Sequence, residues 1–210
     1  YPTLYGEKSV LRLLNISDAL HNLDGLGFEK NILKQFDDML VGGEGIVLVS
    51  GPTGSGKTTT LYSTLSKMDK PDVNIVTIED PIEFDLDNIN QAQVNRRSGV
   101  TFASALRAIL RQDPDIIMVG EVRDEETVEL AIRAALTGHL VFSTIHTNDS
   151  AAGFTRLLNW GMEPFLITST VKGILSQRLV RKLCNECREK HMVEPEELTR
   201  FGLEVDDAME

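Results

Sequence analysis

The stretch Gly51-Pro-Thr-Gly-Ser-Gly-Lys-Thr58 matches the phosphate-loop pattern G-x-x-x-x-G-K-[ST] at every position. Its glycines allow a tight loop whose backbone N–H groups point inward, at phosphate oxygens. Lys57 can reach the β- and γ-phosphates of a nucleotide, and the Thr58 hydroxyl can bind Mg²⁺. We therefore predict an ATP and Mg²⁺ site. Its nucleotide-binding residues are Gly51, Pro52, Thr53, Gly54, Ser55, Gly56, Lys57, Thr58 and Thr59.

The residues on either side of this loop predict a strand before it and a helix after it. Gly45–Ser50 is a short, apolar run rich in β-branched residues, which is typical of a buried strand. Lys57–Met68 is predicted to be helical, and the N-terminus of such a helix adds partial positive charge to a phosphate site. A purely structural glycine-rich turn is the alternative, but the strand–loop–helix order favours nucleotide binding.

Strand and helix patterns alternate through most of the remaining chain. Further strands are predicted over 74–79, 89–94, 115–119 and 140–145. Helices are predicted over 28–40, 101–111 and 124–136, with Thr101 and Asp124 as caps, and the pattern from 150 to 183 is mainly helical. This alternation predicts an α/β core with a mostly parallel central sheet, helices on both faces and a helical C-terminal part. Function is expected at the C-terminal ends of the strands.

Composition narrows the classes of function. The chain has 210 residues, a net charge of −11, and 41% hydrophobic and 25% charged residues, which is ordinary for a globular protein. The negative charge argues against general binding to nucleic acid, which needs a basic surface. No apolar run is long enough to span a bilayer, and only two cysteines are present. We therefore expect a cytoplasmic protein without a nucleic-acid partner.

Three carboxylates follow the predicted strand at 74–79, where the fold would place them beside the phosphate loop. They are Glu79, Asp80 and Glu83. Such groups can hold Mg²⁺ through its water ligands or orient the attacking water. A solvated acidic turn is the alternative interpretation.

A further carboxylate, Glu121, follows the predicted strand at 115–119. Many phosphate-loop ATPases end this strand with an Asp that assists Mg²⁺, and Gly120 stands in that place here. Glu121 is therefore the candidate general base, and Mg²⁺ is expected to rely more on Thr58 and the carboxylates after Thr77. An exposed Glu at a strand end is the alternative.

Two histidines flank the predicted strand at 140–145. His139 and His146 would lie roughly 20 Å apart at opposite ends of it, so a shared metal is not expected. His146, at the C-terminal end, could sense the γ-phosphate or contact a neighbouring subunit. A structural role is the alternative for a single histidine.

Several arginines are candidates for stabilising the charge of phosphoryl transfer, including transfer in a neighbouring subunit. Arg107 and Arg111 share one face of a predicted helix, because they are four residues apart. Arg12 lies in a predicted strand at 7–14, and Arg123 follows Glu121 closely. Solvated surface positions are the alternative for each of them.

The two cysteines, Cys184 and Cys187, form a C-x₂-C knuckle, which is half of a structural zinc site. His191 could be a third ligand, and no fourth is evident in the sequence. Two free thiols are the alternative.

Taken together, these motifs resemble the secretion ATPases that power type II secretion and the assembly of type IV pili. The resemblance runs from Pro2 to about Cys187. It rests on the stretches 5–14, 51–62, 77–83, 106–115, 118–124 and 137–148. The cysteine knuckle resembles the family's four-cysteine zinc subdomain, which typifies the secretion and pilus-extension members.

The resemblance implies a hexameric ring with a RecA-like core and a separate N-terminal domain. It implies an acidic box, an atypical Walker B motif with a catalytic glutamate, a histidine box, an arginine from the N-terminal domain and two further arginines linked to activity. The acidic box matches Glu79, Asp80 and Glu83, and the catalytic glutamate matches Glu121. The histidine box matches His139 and His146. The arginine from the N-terminal domain matches Arg12, and the two further arginines match Arg107 and Arg111.

These implications divide the chain into four parts. We expect residues 1–16 to end an N-terminal domain that begins upstream, 17–27 to be a linker, 28–183 to be the ATPase core, and 184–210 to be part of a zinc subdomain with an acidic tail. The second C-x-x-C is missing, so Zn²⁺ is expected only where the missing cysteines are present.

The expected function is an ATP-hydrolysing hexameric motor for type IV pilus assembly or type II secretion. The resemblance places it on the cytoplasmic face of the inner membrane, where it acts on a membrane-embedded platform protein. One alternative is a nucleotide-binding assembly module with little turnover, which the missing Walker B Asp favours. A DNA-translocating RecA-like motor is the other, and the acidic balance opposes it.

Overall fold

The computed structural model of this chain describes residues 2–9, 23–190 and 195–200. The chain forms two compact units, Tyr1–Leu179 and Val180–Glu210. Near the start, strands β1 (Pro2–Thr3) and β2 (Gly6–Glu7) pair antiparallel. The predicted strand at 7–14 is wrong at Lys8 and Ser9, which have no regular structure. Its remainder, including Arg12, lies outside the described residues.

A six-stranded sheet forms the centre of the first unit. Its strands are β3 (Gly45–Ser50), β4 (Ile75–Glu79), β5 (Asn90–Gln93), β6 (Ile116–Val119), β7 (Leu140–Ile145) and β8 (Val171–Ser176). Their spatial order is β5-β4-β6-β7-β3-β8, and every neighbouring pair is parallel. The parallel sheet predicted from the alternating pattern is therefore confirmed, and the C-terminal ends of its strands share one edge.

Helices form in the four places where single helices are predicted, namely 28–40, 57–68, 101–111 and 124–136, with differences of a few residues at their ends. The helices of the structure are α1 (Lys30–Leu40), α2 (Lys57–Met68), α3 (Phe102–Ile109), α4 (Glu125–Leu136), α5 (Ser150–Asn159) and α6 (Pro164–Thr170) in the first unit, and α7 (Pro195–Arg200) in the second. The side chains of Thr101 and Asp124 cap α3 and α4, as predicted. None of the helices in the described part of the chain has the length and apolar character needed to cross a membrane.

The two faces of the sheet bury separate cores, because side chains alternate along each strand. In β3, Ile46 and Leu48 pack with residues of α3 to α6, whereas Val47 and Val49 pack with residues of α1 and α2. The other central strands divide in the same way. Helices therefore cover both faces, and every residue of the phosphate-loop strand is buried.

The predicted linker at 17–27 contains regular structure in its described part. A 3₁₀ helix spans Leu23–Leu26, and Leu23 is only 2% exposed because it packs in the same core as Phe36. The apolar residues at this end of the segment therefore belong to the folded core.

The prediction of a mainly helical segment from 150 to 183 is wrong after α6. Val171–Ser176 is the edge strand β8, which pairs in parallel with β3, and residues 177–183 contain no helix. Gly173 permits the close approach of α1, since an added Cβ would lie 2.5 Å from the Met39 sulfur. Because Ser176 pairs with Ser50, the C-terminal end of β8 lies beside the start of the phosphate loop.

Candidate active site

A cavity of about 620 Å³ opens at the C-terminal ends of β3, β4, β6 and β7. This volume is in the usual range for a small-molecule site. The cavity collects residues that are far apart in sequence but predicted to act together. Those lining it include Thr53, Gly54, Gly56, Lys57, Thr58, Thr59, Glu79, Asp80, Glu83, Glu121 and His146.

The phosphate loop connects β3 to α2 through glycines with positive φ. Gly56 caps α2 with φ +85° and supplies no side chain, so it leaves the first N–H groups of the helix without a side-chain acceptor. Gly51 has φ +145°, and an added Cβ there would lie 2.4 Å from the carbonyl oxygen of Gln177. The loop therefore needs glycine at both positions. The first backbone N–H groups of α2, which follows the loop, are suited to binding an anion.

Lys57 lies folded over this loop. Its Nζ donates hydrogen bonds of 2.9 Å to the carbonyl oxygens of Gly51 and Pro52. Burial lowers the pKa of Lys57, and the nearby Glu121 carboxylate partly opposes that effect. The Lys57 ammonium thus has two neutral hydrogen-bond acceptors at the cavity wall. A bound phosphate would give it a counter-charge closer than the Glu121 carboxylate.

The carboxylate of Glu79 is buried at the end of β4 and is fixed by three donors. Thr77 Oγ1 and Gln91 Nε2 donate to Oε1 at 2.7 and 3.0 Å, and the Tyr62 hydroxyl donates to Oε2. The pKa of Tyr62 is raised, mainly by burial and secondly by the hydrogen bond to Glu79, so the phenol remains a donor. The two carboxylate oxygens of Glu79 therefore connect α2, β4 and β5 beside the cavity.

Gly120, at the end of β6, packs tightly against the end of β4. A Cβ at this position would lie 3.3 Å from the Ile78 carbonyl oxygen and 3.4 Å from Glu79 Cα. The backbone N–H of Gly120 also donates to the Ile78 oxygen at 2.8 Å. A side chain at this position would therefore fit only if the β4 backbone moved by a few tenths of an ångström.

Glu121 enters the cavity directly after this glycine and is 9% exposed. Arg123 Nε forms an ion pair with Glu121 Oε2, and His146 Nε2 lies 3.6 Å from the same oxygen. The Thr144 hydroxyl donates to the Gly120 oxygen at 2.8 Å, which ties the ends of β6 and β7 together. The predicted base and the predicted histidine are thus neighbours.

The other predicted residues lie away from the cavity lining. Arg107, on α3, forms an exposed ion pair of 2.5 Å with Glu126, and Arg111 is exposed just beyond that helix. His139 is at the opposite end of β7 from His146, with Nδ1 2.9 Å from the Ala134 oxygen. The structure does not bring these three residues to the phosphate loop of their own chain.

A sequence model described as "Type II/IV secretion system protein" matches residues 1–205. The chain belongs to this family. It is 54% identical over 202 residues to type II secretion system protein E of Xanthomonas campestris pv. campestris. It is 52% identical, also over 202 residues, to the type IV pilus assembly ATPase PilB of Thermus thermophilus. Both matches cover 96% of this chain but only 36% and 23% of those proteins, so the chain spans about a third of their length or less.

Solved structures of a pilus retraction motor and of DotB ATPases share the fold of this chain. The crystal structure of the pilus retraction motor PilT with bound ADP has a TM-score of 0.69 and 40% identity, over 79% of this chain and 50% of that one. The DotB ATPase of Legionella pneumophila has a TM-score of 0.65 and 34% identity, over 76% and 46%. The predicted α/β, RecA-like fold and the family resemblance are confirmed.

The cysteines of this secretion family member lie in the second unit. Cys184 and Cys187 are free and exposed. Hydrogen bonds from the backbone of Glu186 and Cys187 lower the pKa of the Cys184 thiol. Within the described residues, no group of three or more His, Cys, Asp or Glu side chains is arranged to hold a metal, and His191 lies outside them. In the described part of the chain the two thiols alone do not supply the four ligands of a tetrahedral zinc site.

Several residues at the site were not predicted from the sequence. Tyr62, Thr77 and Gln91 hold Glu79, and Gln177 contacts the phosphate loop from the end of β8. Tyr62 stands four residues after Thr58 on α2, a spacing that could have indicated it. Gln177 had no comparable signal, because its segment was predicted to be helical.

Proposed function

We propose that this chain is the ATP-binding and ATP-hydrolysing core of a motor for type IV pilus assembly or type II protein secretion. The proposal rests on the cavity in which the phosphate loop faces Glu79 and Glu121. The names of the relatives support this direction, since they include a type II secretion protein E and a type IV pilus assembly ATPase.

In this proposal the loop binds the nucleotide phosphates through its backbone N–H groups and Lys57. The ammonium leaves the carbonyl oxygens of Gly51 and Pro52 and pairs with the phosphates instead. The Thr58 hydroxyl and the carboxylates of Glu79 and Asp80 line the same cavity, and oxygen donors of this kind suit Mg²⁺, the carboxylates acting through water. When bound, Mg²⁺ neutralises charge on the phosphate oxygens.

Glu121 is the proposed general base for hydrolysis. Its carboxylate takes a proton from the water that attacks the γ-phosphorus, while the bond to the bridging oxygen of ADP breaks. Arg123 and His146 lie against Oε2 and restrict the rotation of the carboxylate. Glu83 lies on the same cavity wall and is proposed to help order the water.

The proposed assembly is a homo-hexamer at the cytoplasmic face of the inner membrane, working on a membrane-embedded platform protein. Arg107 and Arg111 are exposed and lie outside the cavity lining, so their proposed role is toward the site of a neighbouring subunit. Arg12 has the same proposed role. Residues 28–183 are the proposed ATPase core.

The proposal is tested by steady-state phosphate release from the full-length, oligomeric protein. We expect Mg²⁺-dependent release of phosphate from ATP, and no change in its rate when DNA is added. ATP binding without phosphate release would favour the assembly-module alternative. A rate that rises with added DNA would favour the DNA motor instead.

We expect Tyr62→Phe to lower turnover about tenfold and to leave the KM for ATP within about twofold, because one hydrogen bond to a buried carboxylate is lost. The ring stays, with its edge-on contact to Phe84 at 4.6 Å between centroids. The measurement is a steady-state titration of ATP, repeated as a titration of Mg²⁺. The required Mg²⁺ concentration is expected to rise, since Glu79 is then less firmly held.

Thr64→Val is the matched control for Tyr62→Phe. Thr64 lies on the same helix, is buried, and donates its hydroxyl to the Thr60 carbonyl oxygen at 2.7 Å, away from Glu79. Both substitutions remove one buried hydroxyl from α2. Equal losses of turnover in the two variants would show that Tyr62 acts through general stability alone.

A further inference from the structure

Gln177, the residue after β8, uses both ends of its side-chain amide on the phosphate-loop segment. Nε2 donates to the Ser55 carbonyl oxygen at 2.7 Å, and Oε1 accepts from the Thr60 hydroxyl at 2.9 Å. A carbonyl oxygen can only accept, so the NH₂ group must face Ser55 and the amide orientation is determined. The backbone N–H of Gln177 donates to the Ser50 oxygen at 3.0 Å, which continues the β3–β8 pairing by one residue.

The bond to Ser55 fixes the direction of a backbone N–H group in the phosphate loop. In a planar trans peptide the N–H points opposite to the C=O, and among the described residues only Asp80–Pro81 is cis. With its carbonyl oxygen held by Gln177, the Ser55–Gly56 peptide directs the Gly56 N–H away from Gln177. Gly56 lines the cavity, and Gln177 is absent from that lining.

Residue 177 also packs against both ends of the loop. Its carbonyl oxygen would lie 2.4 Å from a Cβ at Gly51, and its Nε2 would lie 3.2 Å from a Cβ at Gly56. Thr60, its other partner, is the residue whose N–H donates to the Gly56 oxygen at 3.0 Å in the first turn of α2. The loop is therefore clamped between β8 and α2.

We propose that Gln177 is a positioning residue for phosphate binding, which holds the Ser55 carbonyl so that the Gly56 N–H is presented to a nucleotide phosphate. This inference rests on the proposed nucleotide site. Gln177→Glu has the same shape and still accepts from Thr60, but it turns a donor into an acceptor against the Ser55 oxygen. Thr60→Val removes the other contact and leaves the Ser55 bond in place.

The test is isothermal titration of the full-length, oligomeric protein with ADP. We expect Gln177→Glu and the uncharged Gln177→Met each to raise the Kd about tenfold or more, because a donor to a charged ligand is misdirected, and Thr60→Val to raise it less than about threefold. A rise in the Glu variant alone would reflect repulsion by the added charge and would contradict the inference. Gln112→Glu is the matched control and should bind like the wild type. It makes the same charge change at an exposed residue near Asn74, at the other end of the sheet.

A thermal melt without nucleotide separates positioning from general stability. We expect the unfolding midpoint of Gln177→Glu to stay close to that of Gln112→Glu. If the Glu variant does not fold, Gln177→Met replaces it, and the same rise in Kd is expected. Wild-type Kd in a folded Gln177 variant, or an equal rise in Thr60→Val, would overturn the inference alone. Absence of ADP binding by the wild type would overturn the nucleotide site together with it.

Discussion

Glu121→Gln is expected to lower ATP turnover by about 100-fold or more, the usual contribution of a general base, while ATP binding changes by less than about threefold. The amide has the shape of the carboxylate and keeps an oxygen beside Arg123, but it cannot take a proton from water. Binding is expected to survive because Glu121 follows β6, whereas the proposed phosphate site is the loop after β3. The loss should therefore appear in kcat, with little change in KM.

The measurement is steady-state phosphate release over a range of ATP concentrations, beside equilibrium binding of ATP. Glu129→Gln is the matched control, because Glu129 forms an exposed i,i+4 pair with Arg133 on α4 and is absent from the cavity lining. It should release phosphate at the wild-type rate. Turnover that survives in Glu121→Gln would remove Glu121 from the role of base.

Local sequence signals account for much of what was predicted correctly. The phosphate loop, the buried strand before it and the caps Thr101 and Asp124 each depend on neighbouring residues only. Parallel strands then bring their C-terminal ends together, which is why Glu79 and Glu121 share one cavity. Local patterns were therefore enough to predict that the loop and these two carboxylates lie together.

Contacts between distant segments could not be predicted in the same way. Val171–Ser176 became a strand because β3 offers it an open edge, and β3 is more than a hundred residues earlier in the chain. The position of Gln177 depends on that pairing and was missed with it. The three donors to Glu79 come from α2, β4 and β5, and their geometry exists only once the sheet has formed.

The structure also shows the surroundings of Gly120, where the sequence departs from the usual Asp. Gly120 was recognised as an exception to the usual Asp, with the neighbouring carboxylates as possible substitutes. The β4 backbone lies close to this position, at 3.3 Å from an added Cβ. Glu79 occupies the adjacent space and is held by its own hydrogen bonds, which supports its proposed role toward Mg²⁺.

Lys57→Ala is expected to raise the Kd for ATP about 100-fold or more and to remove measurable turnover, because the charge-assisted contacts to phosphate disappear. In the structure the ammonium is buried against two neutral carbonyl oxygens, and burial lowers its pKa. Lys67→Ala is the matched control on the same helix, since Lys67 is exposed and pairs with Asp37 at 2.7 Å. Equilibrium binding of both variants decides the matter. Near-wild-type affinity in Lys57→Ala would mean that backbone N–H groups alone hold the phosphates. Lys57 would then serve only to stabilise the loop through its hydrogen bonds to Gly51 and Pro52.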